Sequence, residues 1–442
     1  MREFRLMRKV GNGTLRRYVL HAIAVLLTGL VCGGAQAGIA LIAPHDNAVV
    51  PALPAAQRAV LSKTTQEERR TATAIEAGPW RVNARLTLSW RATGVAAGPW
   101  KVRIGTDPDL VSGEDWWIPQ KSLTADFNRV YHYEVPRPNL MPGRRYWWRV
   151  WGNIKCTEWL CGSTIGPNGC ACGKSGPAPA SEVWSFVVED EAPRWIELEG
   201  RVQNIRDLGG WRTADGRRVR RGLVFRGEGL NDNSLNGDAA GRNRLTVEDV
   251  DYLTRKLGIK TDLDLRTARE TASMTVSPLG ASVSYIHHSS RAYMGIFTPE
   301  GMKMMAANIR LFCDRSRYPI YFHCIGGADR TGSLAYVLNG LLGVEREDLE
   351  RDWESTFYPD VPNVVEINPD KKFGDDTYWR STTHFDKGFA RYARPGDTLQ
   401  DRIVAYLAAC GVTPAEMEAV RTNLLGKRLQ DSVQSPNQRG ER

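Results

Sequence analysis

The chain has 442 residues, of which 42% are hydrophobic and 25% are charged. This composition excludes collagen-like and disordered proteins, and the length leaves room for two domains that each bury a core. The formal net charge is +9, but the first 37 residues hold six basic residues against one acidic residue. The rest of the chain therefore has a net charge of only +4, which gives little support to nucleic-acid binding.

Residues 1–37 have the layout of a secretory signal peptide. The basic region ends at Arg17, an apolar stretch runs to about Val31, and the small residues at 35–37 fit a cleavage site. A membrane anchor is the alternative, although the apolar stretch is shorter than the roughly 20 residues that span a bilayer. We therefore predict a periplasmic or secreted protein that keeps no stable membrane span after cleavage.

Residues 38–192 contain short stretches of alternating apolar and polar residues, separated by turn residues. Alternation with a period of two predicts an antiparallel β-sandwich. The runs LMPGRRYWWRV, from Leu140, and SEVWSFVVE, from Ser181, resemble a fibronectin type III-like module. Trp116 and Trp117 fall in a stretch predicted as a polar loop; packing is their favoured role, and binding of a surface ligand is the alternative.

Four cysteines crowd into one stretch rich in Gly, Ser, Pro and Asn: Cys156, Cys161, Cys170 and Cys172. In an oxidising compartment, two disulfides that close this loop are the favoured interpretation. A Zn²⁺ site is the alternative, but the paired C-x-x-C spacing of zinc ligands is absent. Seven cysteines are left after signal cleavage, so at least one thiol among them is unpaired.

After an acidic linker near residues 189–193, predicted strands alternate with predicted helices. The strands are 263–265, 284–287 and 319–322, and the helices are 300–313, 333–342, 347–354, 399–410 and 414–425. This order predicts an α/β domain over residues 193–425 with a mostly parallel central sheet. The polar stretch 426–442 is predicted to be a frayed tail.

The sequence PIYFHCIGGADRTG, from Pro319 to Gly332, carries the predicted chemistry. Cys324 follows an apolar strand and a helix follows Arg330, so unpaired amide groups and the helix dipole stabilise a thiolate there. Arg330 supplies a forked donor that matches two phosphate oxygens. The remainder of the predicted phosphate-binding loop is Ile325, Gly326, Gly327, Ala328 and Thr331.

These residues predict a two-step reaction through a phosphocysteine, in which Cys324 is the nucleophile and Arg330 the phosphate clamp. The two glycines allow the backbone to wrap an anion. The hydroxyl of Thr331 donates to the sulfur and eases its departure in the second step. This chemistry calls for no metal and no cofactor.

Here the chain resembles the cysteine-dependent protein-tyrosine phosphatase superfamily, and more narrowly the bacterial tyrosine/lipid phosphatases with an HCxxGKDRTG loop. Residues 204–227, 258–270 and 343–353 resemble three further motifs of that family, so the resemblance spans about half of the chain. Ala328 replaces the loop lysine of the family. The change removes a positive charge beside the substrate and weakens the inference of a lipid-phosphate preference.

The general acid is a further expectation from resemblance. The order Asp329-Arg330-Thr331 is similar to that of myotubularin and Sac-type lipid phosphatases, in which the loop aspartate is the acid. This implies an acid role for Asp329; an ion pair that braces the loop is the alternative. His287 or His288 is a second candidate acid.

Three residues are expected to support the loop. His323 orients it and tunes the neighbouring cysteine by hydrogen bonding. Asp264 lies at the end of a predicted strand beside it, and Arg206 is expected to line the cleft.

The sequence as a whole predicts an exported phosphomonoesterase that acts on phosphotyrosine-type esters of a protein or a small molecule. Hydrolysis of inositol phosphates or phosphoinositides by the same loop is the alternative within enzymes. The alternative of another class is a binding protein, in which the sandwich docks a surface glycan or protein and the second domain reads phosphate without turnover. The intact Cys324, Arg330 and Thr331 argue against that role.

Overall fold

The computed structural model describes residues 38–75, 82–95, 98–119, 122–152, 178–231, 244–271, 274–356 and 382–426. The predicted signal peptide, the cluster of four cysteines and almost all of the polar tail lie outside the described residues. The chain divides into two compact units. The first contains the chain up to Asp46, Thr87–Tyr133 and Trp147–Ser185, and the second contains Asn47–Leu86, Glu134–Tyr146 and the chain from Phe186 onward.

The first unit is built from short strands, as the period-two alternation predicts. In one sheet, β3 (Thr87–Thr93) lies between β1 (Gly38–Ala43) and β6 (Val130–Glu134). In another, β4 (Trp100–Gly105) pairs antiparallel with both β5 (Glu114–Ile118) and β7 (Arg145–Gly152). Alternate residues of β7 are buried, which leaves its other face partly exposed.

The tryptophans of the first unit supply much of its core. Trp90, Trp100 and Trp148 are completely buried. Trp116 and Trp117 belong to β5, opposite β4, so the prediction of a polar loop was wrong. Two acidic residues precede the two tryptophans, so the strand shows no alternation of apolar and polar residues.

The second unit is organised around a six-stranded sheet with the order β13-β12-β14-β11-β10-β9. The strands are β9 (Arg194–Trp195), β10 (Arg206–Asp207), β11 (Val224–Gly227), β12 (Thr261–Asp264), β13 (Ser284–His287) and β14 (Ile320–His323). The four strands from β13 to β11 are parallel, β10 pairs antiparallel with β11, and β9 pairs antiparallel with β10. Every residue of β11, β12 and β14 is buried, as expected for parallel strands covered on both faces. The predicted mostly parallel sheet is therefore confirmed.

Helices follow the strands in the second unit. They are α3 (Val247–Asp251), α4 (Pro299–Leu311), α5 (Asp329–Leu341), α6 (Arg346–Ser355), α7 (Thr383–Phe389), α8 (Leu399–Ala409) and α9 (Pro414–Leu424). The five helices predicted beyond residue 300 correspond to α4, α5, α6, α8 and α9. Residues 331–341 of α5 are all buried, so this helix is central to the core. Within the described ranges, no helix is both long enough and apolar enough to cross a bilayer.

Two helices near the N-terminus belong to the second unit. The chain forms β2 (Ala48–Val50), which pairs with β8 (Trp184–Val188), and then α1 (Ala55–Leu61) and α2 (Gln66–Ile75). Period-two alternation predicts only strands in this region, and the two helices correct that prediction. Residues 55–75 are rich in Ala, Gln, Glu and Arg, which favour helix.

Candidate active site

Residues 324–331, called the Cys324 loop below, connect the end of β14 to the first turn of α5. Cys324 is a free thiol and only 3% exposed. Gly327 has a φ of +67°, and a Cβ at this position would lie 2.4 Å from the carbonyl carbon of Gly227 on β11. The loop therefore requires glycine at this point, both for the backbone angle and for the close approach.

The scaffold binds the loop through its carbonyl groups. Three successive carbonyl oxygens each accept a hydrogen bond of 2.9 Å: that of Ile325 from the backbone N–H of Gly229, that of Gly326 from the side-chain amide of Asn204, and that of Gly327 from the guanidinium of Arg226. In a trans peptide, the next N–H points opposite to the carbonyl. The following N–H groups therefore face away from these partners, which is the arrangement of an anion-binding nest.

The start of α5 adds further donors to this nest. Ala328 occupies the N-cap position, and no side chain caps the helix there. The first N–H groups of a helix need acceptors from outside the helix, and an anion can provide them. The hydroxyl of Thr331 is also buried and has no hydrogen-bond partner among the residues that the structure describes. A hydroxyl in that state gains from a bound acceptor.

Arg330 is oriented by a carboxylate that the sequence analysis did not single out. Its two terminal nitrogens contact the oxygens of Glu270 at 2.5 and 3.0 Å. Burial lowers the pKa of Arg330, but its hydrogen bonds to Glu270 and the charge of Cys324 outweigh burial and raise it. The pair uses two of the five guanidinium N–H groups, so donors are left for phosphate oxygens.

Glu270 is itself fixed in the turn after β12. Its Oε2 accepts hydrogen bonds from the backbone N–H and the hydroxyl of Thr267, at 2.6 and 2.8 Å. Burial raises the pKa of Glu270, yet the hydrogen bonds from Arg330 and Thr267 lower it to about 2. The carboxylate is therefore charged at neutral pH and holds the guanidinium firmly.

Asp329 occupies the first turn of α5, where it is half-buried. Its carboxylate accepts a hydrogen bond from the hydroxyl of Tyr293. Burial raises the pKa of Asp329, and the charge of Arg330 only partly opposes that shift. A partly buried carboxyl group with a raised pKa suits a proton donor. Sequence reasoning gave no signal for Tyr293.

His323 and Asp264 lie together beneath Cys324. Nδ1 of His323 is 3.1 Å from the carbonyl oxygen of Cys324, and its Nε2 is 3.0 Å from Oδ1 of Asp262. Burial lowers the pKa of His323, but Asp264 and Asp262 raise it by a larger amount. Asp264 is held by Arg266, with contacts of 2.6 to 3.0 Å. Both predicted supporting residues are therefore placed next to the loop.

Arg206 lies under the loop and not along an open cleft. It is completely buried, donates to Asp352 at 3.0 Å and to Thr356 at 2.9 Å, and stacks its guanidinium on the ring of Trp195. Another of its nitrogens donates to Asn204, which holds the carbonyl of Gly326. Arg206 thus supports the loop indirectly.

The two histidines at the end of β13, His287 and His288, have structural contacts. Nε2 of His287 lies 2.7 Å from the carbonyl oxygen of Arg266, and Nδ1 of His288 lies 2.8 Å from Asn308. The carboxylate of Asp329, next to Arg330 in the chain, accepts from the hydroxyl of Tyr293.

Comparison with known proteins gives three findings. Residues 196–426 match the model of the tyrosine phosphatase family, which is just over half of the chain. A Cupriavidus necator protein whose name assigns it as a tyrosine-protein phosphatase is 27% identical over an alignment of 186 residues, and the match covers 37% of this chain and 67% of that protein. Among solved structures, the core catalytic domain of the S. cerevisiae PP-IP phosphatase SIW14, bound to citrate, has 14% identity and a TM-score of 0.23. The match covers 35% of this chain and 88% of that one.

Proposed function

The chain belongs to the tyrosine phosphatase family and is a phosphatase, and from this premise we propose that it hydrolyses phosphotyrosine-type monoesters through a phosphocysteine intermediate. One observation carries the proposal. On a single short turn, the loop carbonyls are bound by the scaffold, the amides face the other way, and Glu270 fixes the guanidinium of Arg330. The sulfur of Cys324 belongs to the same turn.

In the first step, the sulfur of Cys324 attacks phosphorus. An S–P bond forms, and the bond from phosphorus to the leaving oxygen breaks. The carboxyl group of Asp329 gives its proton to the leaving oxygen. Negative charge that develops on the equatorial oxygens is stabilised by the loop amides and by Arg330.

In the second step, water attacks the phosphocysteine. Asp329, now a carboxylate, takes a proton from the water as the new O–P bond forms. The S–P bond breaks, and the thiolate departs with the hydroxyl of Thr331 as a hydrogen-bond donor. Inorganic phosphate leaves, and the enzyme returns to its starting charge state.

Phosphotyrosine is favoured over polyphosphorylated substrates because position 328 carries no charge. A side chain there sits on the loop itself, where a cation would attract a second phosphate group. Ala328 offers none. Inositol phosphates and phosphoinositides are therefore the comparison substrates of the test.

The cellular setting is part of the proposal. Export after removal of residues 1–37 is supported by the basic, apolar and small-residue order of that segment. A fibronectin type III-like character of the N-terminal strands is supported by their sequence runs and by the paired antiparallel strands of the first unit.

The test uses the full chain without its first 37 residues and measures turnover of p-nitrophenyl phosphate, a phosphotyrosine peptide, inositol phosphates and phosphoinositide vesicles. We expect turnover of the first two, insensitivity to EDTA, and loss to background in Cys324→Ser. The matched control is Cys410→Ser, which replaces another free cysteine and keeps its activity. Undiminished turnover in Cys324→Ser would refute the phosphocysteine, and preference for the inositol or lipid substrates would refute the substrate class.

A further inference from the structure

A residue outside the matched family region is completely buried in the second unit. Arg69 lies on α2, and its guanidinium contacts two carboxylates of α6. One terminal nitrogen is 3.0 Å from both Glu350 and Glu354, and Nε also contacts Glu354. The other terminal nitrogen donates to the carbonyl oxygens of Lys63 and Thr64, at 3.2 and 2.7 Å. These five contacts, called the Arg69 clasp below, match the five N–H groups of a guanidinium.

The opposite side of α6 is joined to the Cys324 loop. Glu350 and Glu354 are one turn apart and share a face, so Asp352 between them points the other way. Asp352 accepts hydrogen bonds from Arg206 and Arg226, at 3.0 and 2.7 Å. Arg226 in turn donates to the carbonyl of Gly327.

A second contact joins α6 to the start of α5. The ring of Trp353 lies so close to Gly332 that a Cβ there would be 2.7 Å from a ring carbon. Gly332 immediately follows Thr331 in the chain. A shift of α6 would therefore act on the loop from two sides, through Asp352 and through Trp353.

The clasp is sensitive to the loss of its cation. Glu354 is completely buried, and burial raises its pKa to about 7 although Arg69 and Gln66 donate hydrogen bonds to it. Without Arg69, two neighbouring acidic groups would be left in the protein interior with no guanidinium between them, which is strongly unfavourable. Either Glu354 takes up a proton or α6 relaxes, and both responses remove contacts that hold α6 in place.

We propose that Arg69 is a positioning residue of the phosphatase site and that the site requires α2 for full activity. The proposal rests on the proposed function. Arg69 fixes α6, and α6 fixes the Cys324 loop through Asp352, Arg226 and Trp353. The segment that holds Arg69 precedes the family match by more than a hundred residues.

The experiment compares Arg69→Met with Arg70→Met in the full chain. Arg70 lies on the same helix and pairs with Glu67 at 3.7 Å, so it is the matched control. We measure kcat and KM for p-nitrophenyl phosphate far below the unfolding temperature, and the affinity for vanadate by calorimetry. Vanadate mimics the trigonal transition state and therefore reports loop geometry without turnover.

We expect Arg69→Met to lower kcat and to weaken vanadate binding, each by roughly three- to thirty-fold, the range of coupling through packed networks. Arg70→Met should match the wild type in both. If Arg69→Met lowers only the thermal midpoint while kcat and vanadate affinity keep their wild-type values, the positioning role is wrong.

Arg69→Lys covers the case in which the methionine variant does not fold. Lysine keeps the charge, but its single nitrogen cannot reach two carboxylates and two carbonyls together. We expect a smaller loss of kcat and vanadate affinity, and wild-type values in both would overturn the proposal. An inactive wild-type chain would refute the proposed function instead, and vanadate binding would still decide the role of Arg69.

Discussion

The contact between Glu270 and Arg330 shows how one side chain sets the direction of another. An arginine alone on a loop samples many rotamers, and ordering it on binding costs entropy. Glu270 removes that cost in advance because both of its oxygens are engaged. In the proposed mechanism, the guanidinium is thus preorganised for the phosphate.

The first prediction at this scale concerns Glu270→Gln. The amide retains one acceptor oxygen but loses the charge and the second acceptor. We expect kcat/KM for p-nitrophenyl phosphate to fall roughly ten- to a hundred-fold, as for the loss of a charged hydrogen bond. The control is Glu418→Gln, whose carboxylate is 3.6 Å from Arg421 at an exposed site. Equal activity of the two variants would contradict an orienting role of Glu270.

The second prediction at this scale concerns Asp329→Asn. A general acid acts only when protonated, so activity is lost as the pH rises through its pKa. Burial raises the pKa of Asp329, and the basic limb of the kcat/KM profile should lie above the usual range of an aspartate. In Asp329→Asn this limb should disappear, and alkyl phosphates should slow far more than p-nitrophenyl phosphate. Equal losses on both substrates would sink the assignment.

At the scale of elements, long amphipathic helices were the easiest to predict. Thr398 and Thr413 even form capping boxes with Asp401 and Glu416, a pattern visible in the sequence. Elements without a clear hydrophobic periodicity were not predicted. The helices α1 and α2 lie in a region where the alternation predicted strands, and α7 was not predicted at all. In β5, Trp116 and Trp117 follow two acidic residues, and no alternation marks the strand.

The Cys324 loop can be singled out in the sequence because its parts are contiguous and each has a proposed chemical role. Its partners could not, because they come from distant elements. Glu270 precedes Arg330 by 60 residues, Tyr293 precedes Asp329 by 36, and Arg226 precedes Gly327 by 101. The parallel order β13-β12-β14-β11 brings the ends of these strands to one edge of the sheet.

At the scale of the whole molecule, the two compact units interleave along the chain. Residues 47–86 and 134–146 belong with the phosphatase core, although strands of the first unit lie between and after them. Patterns of alternation describe neighbours in sequence. They carry no information about a chain that passes from one unit to the other and back again. The domain limits near residue 193 therefore stay a prediction.

The last prediction concerns a chain that begins at residue 193, near the start of the family match. It would lack the Arg69 clasp and expose Trp195, which is 1% exposed and packs against Leu53 and Val60. Losing the burial of Leu53 and Val60 lowers the free energy of unfolding by about 3 kcal/mol or more. For a unit of this size, that corresponds to a thermal midpoint lower by roughly 6–12 °C. We expect this drop, together with reduced kcat, in calorimetry and turnover assays.

A peptide of residues 47–86 added to the shortened chain supplies the matched control. Because the peptide returns α1 and α2 with Arg69, the midpoint and kcat should rise with peptide concentration, as for any ligand that binds the folded state. The same peptide with Arg69→Met should restore much less of kcat, since it can pack against Trp195 but cannot form the clasp. A shortened chain as stable and as active as the full chain would show that the phosphatase core is complete without its N-terminal helices.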